Sequence, residues 1–256
     1  MNKVQELHSD YLVCDVITKS EHSSTYSVID LVKRTDSQVL KVNQDLGAHS
    51  NEKQVYNQIA KQPTNSITSK LIDEFTYQGK PCLLLERLGK PLSQDLDGAI
   101  LSPVEVSKLA LKLVGLLESF HTTGYVLNDL KLDNISTCAD GSLRLNNFGL
   151  SSRFQTDSGH HLPSETVFFA GSPELASCHA LCQQRTSRRD DLNSLFYLLV
   201  KLSCSSFPFS SRNANESAEC YRKRMRLEKS SMSLRVICDL KSLRWLTEFA
   251  DEVSSY

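Results

Sequence analysis

The hydrophobic positions of the first ninety residues fall in short runs rich in β-branched and aromatic side chains. That pattern predicts strands around a single helix. Tyr11-Leu12-Val13-Cys14-Asp15-Val16-Ile17 and the run from Thr25 to Val32 read as strands. A polar turn, Lys33-Arg34-Thr35-Asp36-Ser37, leads into a third strand, Gln38 to Val42. A short helix is expected from Glu52 to Ala60, stopped near Pro63. Two further strands, Lys70 to Tyr77 and Pro81 to Leu88, join through Gln78-Gly79-Lys80.

Beyond Gly89 the period changes. Ser102-Pro103-Val104-Glu105 has the form of a capping box with proline at the first helical position. Val106, Leu109, Ala110, Leu113, Leu116, Leu117 and Phe120 recur at steps of three and four. They form the core-facing stripe of an amphipathic helix ending near Gly124. Two short strands are expected either side of Asp140-Gly141. From Asp191 a helix apolar on most faces, through Leu192, Leu195, Phe196, Leu198, Leu199 and Leu202, is expected at the centre of its lobe. The fold class is therefore α+β, a strand-rich lobe over about 11–87 followed by a mainly helical one over about 88–256.

Composition narrows the function classes. The 256 residues are 40% hydrophobic and 23% charged, which excludes a mainly disordered or fibrous chain. Lys plus Arg is 29 and Asp plus Glu is 30, so bulk charge gives no reason to expect nucleic-acid binding. No apolar run is long enough for a membrane span, and Met1 to Leu7 has no apolar signal core. The eight cysteines contain no CxxC pair and are expected as reduced thiols of an intracellular protein, cytoplasmic or nuclear. Cys178-His179-Ala180-Leu181-Cys182 lacks the second ligand pair of a zinc site.

The candidate chemistry lies in a series of short motifs. Asn128-Asp129-Leu130-Lys131-Leu132-Asp133-Asn134 has the spacing D-x-K-x-x-N, and thirteen residues later stands Asn147-Phe148-Gly149. Upstream, Lys41 ends a strand and Glu52 opens a helix. In order, these resemble the protein-kinase set of strand lysine, helix glutamate, catalytic loop and D-F-G triplet. Further motifs resemble the casein kinase 1 family. Ser187-Arg188-Arg189-Asp190-Asp191-Leu192 is similar to its S-R-R-D-D-L, and Gly171 to Ser177 stands where it has G-T-A-R-Y-A-S. Leu85-Glu86-Arg87-Leu88-Gly89 is similar to its hinge, and Glu52-Lys53-Gln54-Val55-Tyr56 to its helix start. The similarity covers roughly 11–210, fades after Phe209, and implies the two-lobed protein-kinase fold.

The resemblance implies roles. Lys41 would hold the α- and β-phosphates of ATP and pair with Glu52. Asp129 would accept the substrate hydroxyl proton, with Lys131 near the γ-phosphate. Asn134 and position 147 would be the metal ligands. Glu86 and Leu88 would offer backbone groups to adenine behind Leu85, and Asp191 would brace the catalytic loop.

Several departures bear on that chemistry. The metal-binding aspartate is replaced by Asn147, which keeps an oxygen but loses the charge. Losing one preorganised electrostatic group costs about 10²–10³ in rate, roughly 2.7–4 kcal/mol. The glycine-rich loop reads Lys19-Ser20-Glu21-His22-Ser23-Ser24, with no glycine between Met1 and Gly47. Side chains there are expected to obstruct phosphate, and Glu21 to repel it. Leu127 and Asn128 replace the His and Arg of H-R-D. Glu174 replaces an anion-binding arginine, which argues against acidic or phosphorylated substrates unless the loop has repacked. Tyr221-Arg222-Lys223-Arg224-Met225-Arg226 is by default a solvated helix face, with a nuclear signal or an acidic-partner patch as alternatives. Thr166-Val167-Phe168-Phe169-Ala170 is expected to pack within the C-terminal lobe.

The sequence thus points to a casein kinase 1-like pseudokinase that binds or regulates other proteins, with weak ATP binding and doubtful Mg²⁺ binding. The alternative is a weakly active or metal-independent Ser/Thr kinase, because Lys41, Glu52, Asp129, Lys131 and Asn134 survive.

Overall fold

The structure is a computed structural model that describes residues 5–8, 10–19, 23–62, 67–156, 158–209 and 211–255. In chain order the elements are β1 Gln5–His8, β2 Tyr11–Lys19, β3 Ser23–Asp30, β4 Thr35–Asn43, α1 Leu46–Ile59, β5 Leu71–Tyr77 and β6 Lys80–Glu86. Then follow α2 Leu92–Leu96, α3 Pro103–His121, β7 Tyr125–Val126, β8 Ile135–Thr137, β9 Leu143–Leu145 and β10 Ser152–Arg153. The remainder is helical: α4 Cys178–Leu181, α5 Arg188–Ser203, α6 Ala218–Ser230, α7 Leu234–Leu240 and α8 Thr247–Ser255.

The chain divides into two compact units, Met1–Lys90 with Ser136–Gly149, and Pro91–Ile135 with Leu150–Tyr256. A single cut near residue 87 does not describe this division. Residues 136–149 belong with the first unit because Leu145 N–H donates to Ile67 O at 2.7 Å, Thr68 Oγ1 donates to Leu145 O at 2.7 Å, and Thr137 N–H donates to Lys90 O at 3.0 Å.

The first unit is built on an antiparallel sheet in the order β1-β2-β3-β4-β6-β5. Val13, Val28, Leu40, Val42, Cys82 and Leu84 form a buried cluster covered by Tyr11, Tyr26, Phe75 and Tyr77. Side chains alternate faces along a strand, so Lys41, between Leu40 and Val42, points away from this cluster. α1 starts at Leu46 rather than Glu52, because Asp45 caps it through the Ala48 N–H at 2.6 Å. Glu52 is consequently in the helix interior, fully buried. Pro63, the expected stop, lies outside the described residues, and the helix ends at Ile59.

The second unit is helical. Ser102 and Glu105 make the expected capping box: Ser102 N–H donates to Glu105 Oε2 at 2.8 Å, and Glu105 N–H to Ser102 Oγ at 3.4 Å. Val106, Leu113, Leu117 and Phe120 of α3 are buried, as are Leu195 to Val200 of α5. α5 is thus buried on nearly all faces. Among the described residues no helix is long and apolar enough to cross a membrane.

Candidate functional site

In the first unit three predicted residues meet. Lys41 Nζ donates to Glu52 Oε1 at 2.7 Å and to Asn147 Oδ1 at 2.8 Å. Glu52 also accepts the Phe148 N–H at 3.0 Å and lies 3.5 Å from Asn43 Nδ2, so its carboxylate is fully engaged. Asn51, which sequence reasoning missed, donates through Nδ2 to the carbonyls of Phe148 (3.3 Å) and Gly149 (3.1 Å). The Tyr56 ring stands edge-on to Phe148, centroids 5.1 Å apart. Two consecutive residues of α1 thus clasp the Asn147-Phe148-Gly149 triplet. Asn147 has φ 65°, a left-handed conformation that asparagine accepts more readily than most residues.

The hinge-like segment belongs to the same unit. Glu86 N–H donates to Lys70 O at 2.9 Å, Arg87 N–H donates to Ser37 O at 2.8 Å, and Arg144 lies 3.4 Å from the Glu86 carboxylate. Leu85 is buried and Leu88 half-buried. A Cβ on Gly89 would lie 1.7 Å from Thr137 O, so only glycine fits beside that backbone. Ser23 and Ser24 pair with Asn43 and Val42 in the sheet. Ser20, Glu21 and His22, the middle of the expected phosphate loop, lie outside the described residues.

In the second unit Asp129 is almost buried, and both its carboxylate oxygens are engaged. Oδ1 accepts from Ser172 Oγ at 2.7 Å, while Oδ2 lies 2.6 Å from Lys131 Nζ and accepts from Asn134 Nδ2 at 3.0 Å. Asn134 Nδ2 also donates to Asp129 O at 2.8 Å. Ser172 went unrecognised, although its hydroxyl follows Gly171 just as threonine does in the resembling motif. Asp191 braces the loop as expected, accepting the N–H groups of Leu127 (2.8 Å) and Asn128 (3.0 Å) and contacting His121 Nε2 at 2.8 Å.

Other expectations change. The Glu174 carboxylate pairs with Lys201 at 2.8 Å and its carbonyl accepts from buried Lys229 at 2.7 Å, so the reversed charge is partly neutralised. Lys229 also donates to the carbonyls of Pro173 and Ala176 at 3.1 and 2.6 Å and lies 3.9 Å from the Tyr197 ring centroid. Burial pushes its ammonium down to about 7. The basic run is only partly a solvated face. Tyr221 and Met225 are buried, Arg222 donates to Leu181 O at 2.5 Å, and Arg224 bridges Glu216 and Glu228. Phe168 is 95% exposed, so it does not pack within its unit as expected.

Comparison with known proteins agrees with these features. A protein kinase domain model matches residues 16–253. A probable casein kinase I homolog of Encephalitozoon cuniculi is 28% identical, over 96% of this chain and 79% of that protein. A casein kinase 1-like protein of Oryza sativa subsp. japonica is 33% identical, over 56% of this chain and 22% of its own length. A probable serine/threonine-protein kinase of Dictyostelium discoideum is 32% identical, over 50% of this chain and 27% of its own. With a kinase-domain match over most of its length and the lysine–glutamate pair and catalytic-loop contacts in place, the chain belongs to the protein kinase family and is casein kinase 1-like.

Proposed function

We propose that this protein is a casein kinase 1-like pseudokinase, an intracellular module that binds or regulates other proteins through its folded surface and uses ATP and Mg²⁺ poorly. The observation that carries this reading is the bond from Lys41 to the Asn147 amide oxygen. Magnesium is a hard cation that favours charged carboxylate oxygens. Position 147 offers a neutral oxygen already accepting from an ammonium, and the Glu52 carboxylate is consumed by Lys41 and the Phe148 N–H. This donor set does not fit a tightly held Mg²⁺. Lys41 remains suited to a phosphate, with Glu86 and Leu88 as backbone contacts for adenine, so weak nucleotide binding survives.

The test is thermal unfolding with ATP, with and without Mg²⁺. Stabilisation by a ligand grows with its concentration relative to Kd, so the shift reports affinity. The expected result is a small shift that Mg²⁺ leaves unchanged. A large shift abolished by a chelator would overturn the reading.

A second reading is favoured by one specific observation, the intact set of Asp129, Lys131, Asn134 and Ser172. It is a weakly active Ser/Thr kinase in which Asp129 accepts the hydroxyl proton. Wild-type phosphotransfer that disappears in Asp129→Ala would establish it.

A further inference from the structure

Lys41 and Asn43 are two residues apart on β4, so their side chains leave the strand on one face. On α1, His49, Glu52 and Lys53 stand at i, i+3 and i+4 and share one side of the helix. A chain of polar side chains joins the two elements. Glu52 Oε1 takes Lys41 Nζ and the Phe148 N–H. Its other oxygen, Oε2, lies 3.5 Å from Asn43 Nδ2. The same Nδ2 is 3.3 Å from His49 Nδ1, and His49 Nε2 is 2.9 Å from Glu74 Oε1 on β5. Lys53 pairs with the second oxygen of Glu74. Asn43, His49 and Glu52 are 3%, 5% and 0% exposed, so bulk water does not replace a partner lost there.

The inventory of protons selects one arrangement. The Glu52 carboxylate, ion-paired to Lys41, only accepts, so Asn43 turns its NH₂ group toward it. The second amide proton then points at His49 Nδ1, which has to be bare to accept it. A neutral imidazole with a bare Nδ1 carries its proton on Nε2, the nitrogen that faces Glu74. Each donor meets an acceptor from β4 through α1 to β5. A proton on Nδ1 breaks the sequence. Two donors would then face each other, Asn43 would turn its oxygen to the ring, and Glu52 Oε2 would lose that donor.

The charged groups about the ring are Glu74 from β5, Glu52 and Lys53 from α1, and Lys41 from β4. Asp45, at the helix start, spends a carboxylate oxygen on the Ala48 N–H. β6 also packs on α1, and between Pro81 and Leu85 only Cys82 can titrate; burial pushes that thiol up to about 11, so it stays neutral.

We propose that Asn43 and His49 are positioning residues for the Lys41–Glu52 pair. Glu74 fixes the neutral imidazole with its proton on Nε2, the imidazole fixes the Asn43 amide, and the amide sets the Glu52 carboxylate that holds Lys41. The lysine is held in place while His49 is neutral and loosened when His49 gains a proton. This concerns the geometry of Lys41 and holds for either reading of the chain's activity.

NMR of the full chain without nucleotide tests this. In nitrogen-labelled imidazole spectra recorded above neutral pH, His49 is expected with a bare Nδ1 and a protonated Nε2. The Phe148 N–H reports on Glu52, because it donates to Oε1. His49→Leu removes both ring nitrogens. It is expected to speed Phe148 amide exchange about tenfold, the scale of one lost hydrogen bond to a charged group, while α5 amides keep their wild-type rates. His49→Asn places a carbonyl oxygen near the position of Nδ1 and is expected to restore the wild-type rate. On acidification the wild-type Phe148 amide shift is expected to follow the His49 titration. A protonated Nδ1 above neutral pH would overturn the relay, as would an unchanged Phe148 rate in His49→Leu or no rescue by His49→Asn. So would a Phe148 shift that ignores the His49 titration. Should His49→Leu fail to fold, the wild-type tautomer decides.

Discussion

Asn147 Oδ1 accepts a hydrogen bond from Lys41 Nζ at 2.8 Å, so the amide at the position proposed for a metal ligand is turned toward the lysine proposed to hold phosphate. Replacing the amide with a carboxylate, Asn147→Asp, keeps the shape and restores the charge. Phosphate positioning supplies much of phosphoryl-transfer catalysis, and the chain has no glycine near Ser23 and Ser24 to let backbone N–H groups approach phosphate. Single-turnover phosphotransfer to a casein-like protein is therefore expected to stay at the Asp129→Ala background in Asn147→Asp. Activity well above that background would make position 147 the limiting defect.

The Lys41–Glu52 pair is buried, with side-chain exposures of 8% and 1%. Removing one partner of such a pair leaves an uncompensated charge and costs about 3–5 kcal/mol. Lys41→Met, a natural choice of nucleotide-dead control, is thus expected to lower unfolding free energy by that order. Loss of a partner in this variant would then report unfolding rather than chemistry. Denaturant melts of the variant beside wild type check this, and an unchanged midpoint would contradict it.

Leu113 in α3 and Leu199 in α5 are 1% and 0% exposed. Truncating either to alanine opens a cavity in a packed core, and about 2–5 kcal/mol of stability is expected to be lost. Chemical denaturation measures it. A loss below about 0.5 kcal/mol would mean that neighbouring side chains collapse into the space far more completely than core leucine truncations allow.

Lys229 gives stability a pH dependence. Burial lowers its folded-state value to about 7, against roughly 10.4 for an unfolded lysine. Between those values the unfolded chain binds more protons than the folded one, so stability contributed by this group rises with pH over that window and is flat below it. The three carbonyls around Nζ favour the ammonium and oppose the shift. The wild-type minus Lys229→Met difference in unfolding free energy is expected to grow from pH 7 to pH 9. A flat or falling difference would mean that the carbonyls hold the proton.

Much of the fold was legible because local patterns and tertiary contacts agree. The Ser102–Glu105 box and the stripe from Val106 to Phe120 are set by i, i+3 and i, i+4 spacing, and the helix they predict is present with its cap. The start of α1 was less legible. Asp45 caps a helix whose first turn has no apolar periodicity, so the pattern places the start at Glu52 instead.

The site divides in the same way. Residue types at fixed spacings picked out Lys41, Glu52, Asp129, Lys131, Asn134 and Asn147 as candidates, because they stand in the order of the family motifs. Their partners are another matter. Asn51 on the Phe148 and Gly149 carbonyls, Ser172 on Asp129, and Lys229 among three carbonyls join positions 43 to 98 residues apart. A side chain's hydrogen-bond partner at such separation depends on how the backbone returns, and no local pattern encodes that. Sequence alone determined which side chains are the candidates for phosphate, metal and a hydroxyl proton. Tertiary structure decided that the Asn147 oxygen faces Lys41 and that Asp191 reaches the N–H groups of Leu127 and Asn128, since both require distant segments to approach within hydrogen-bond distance.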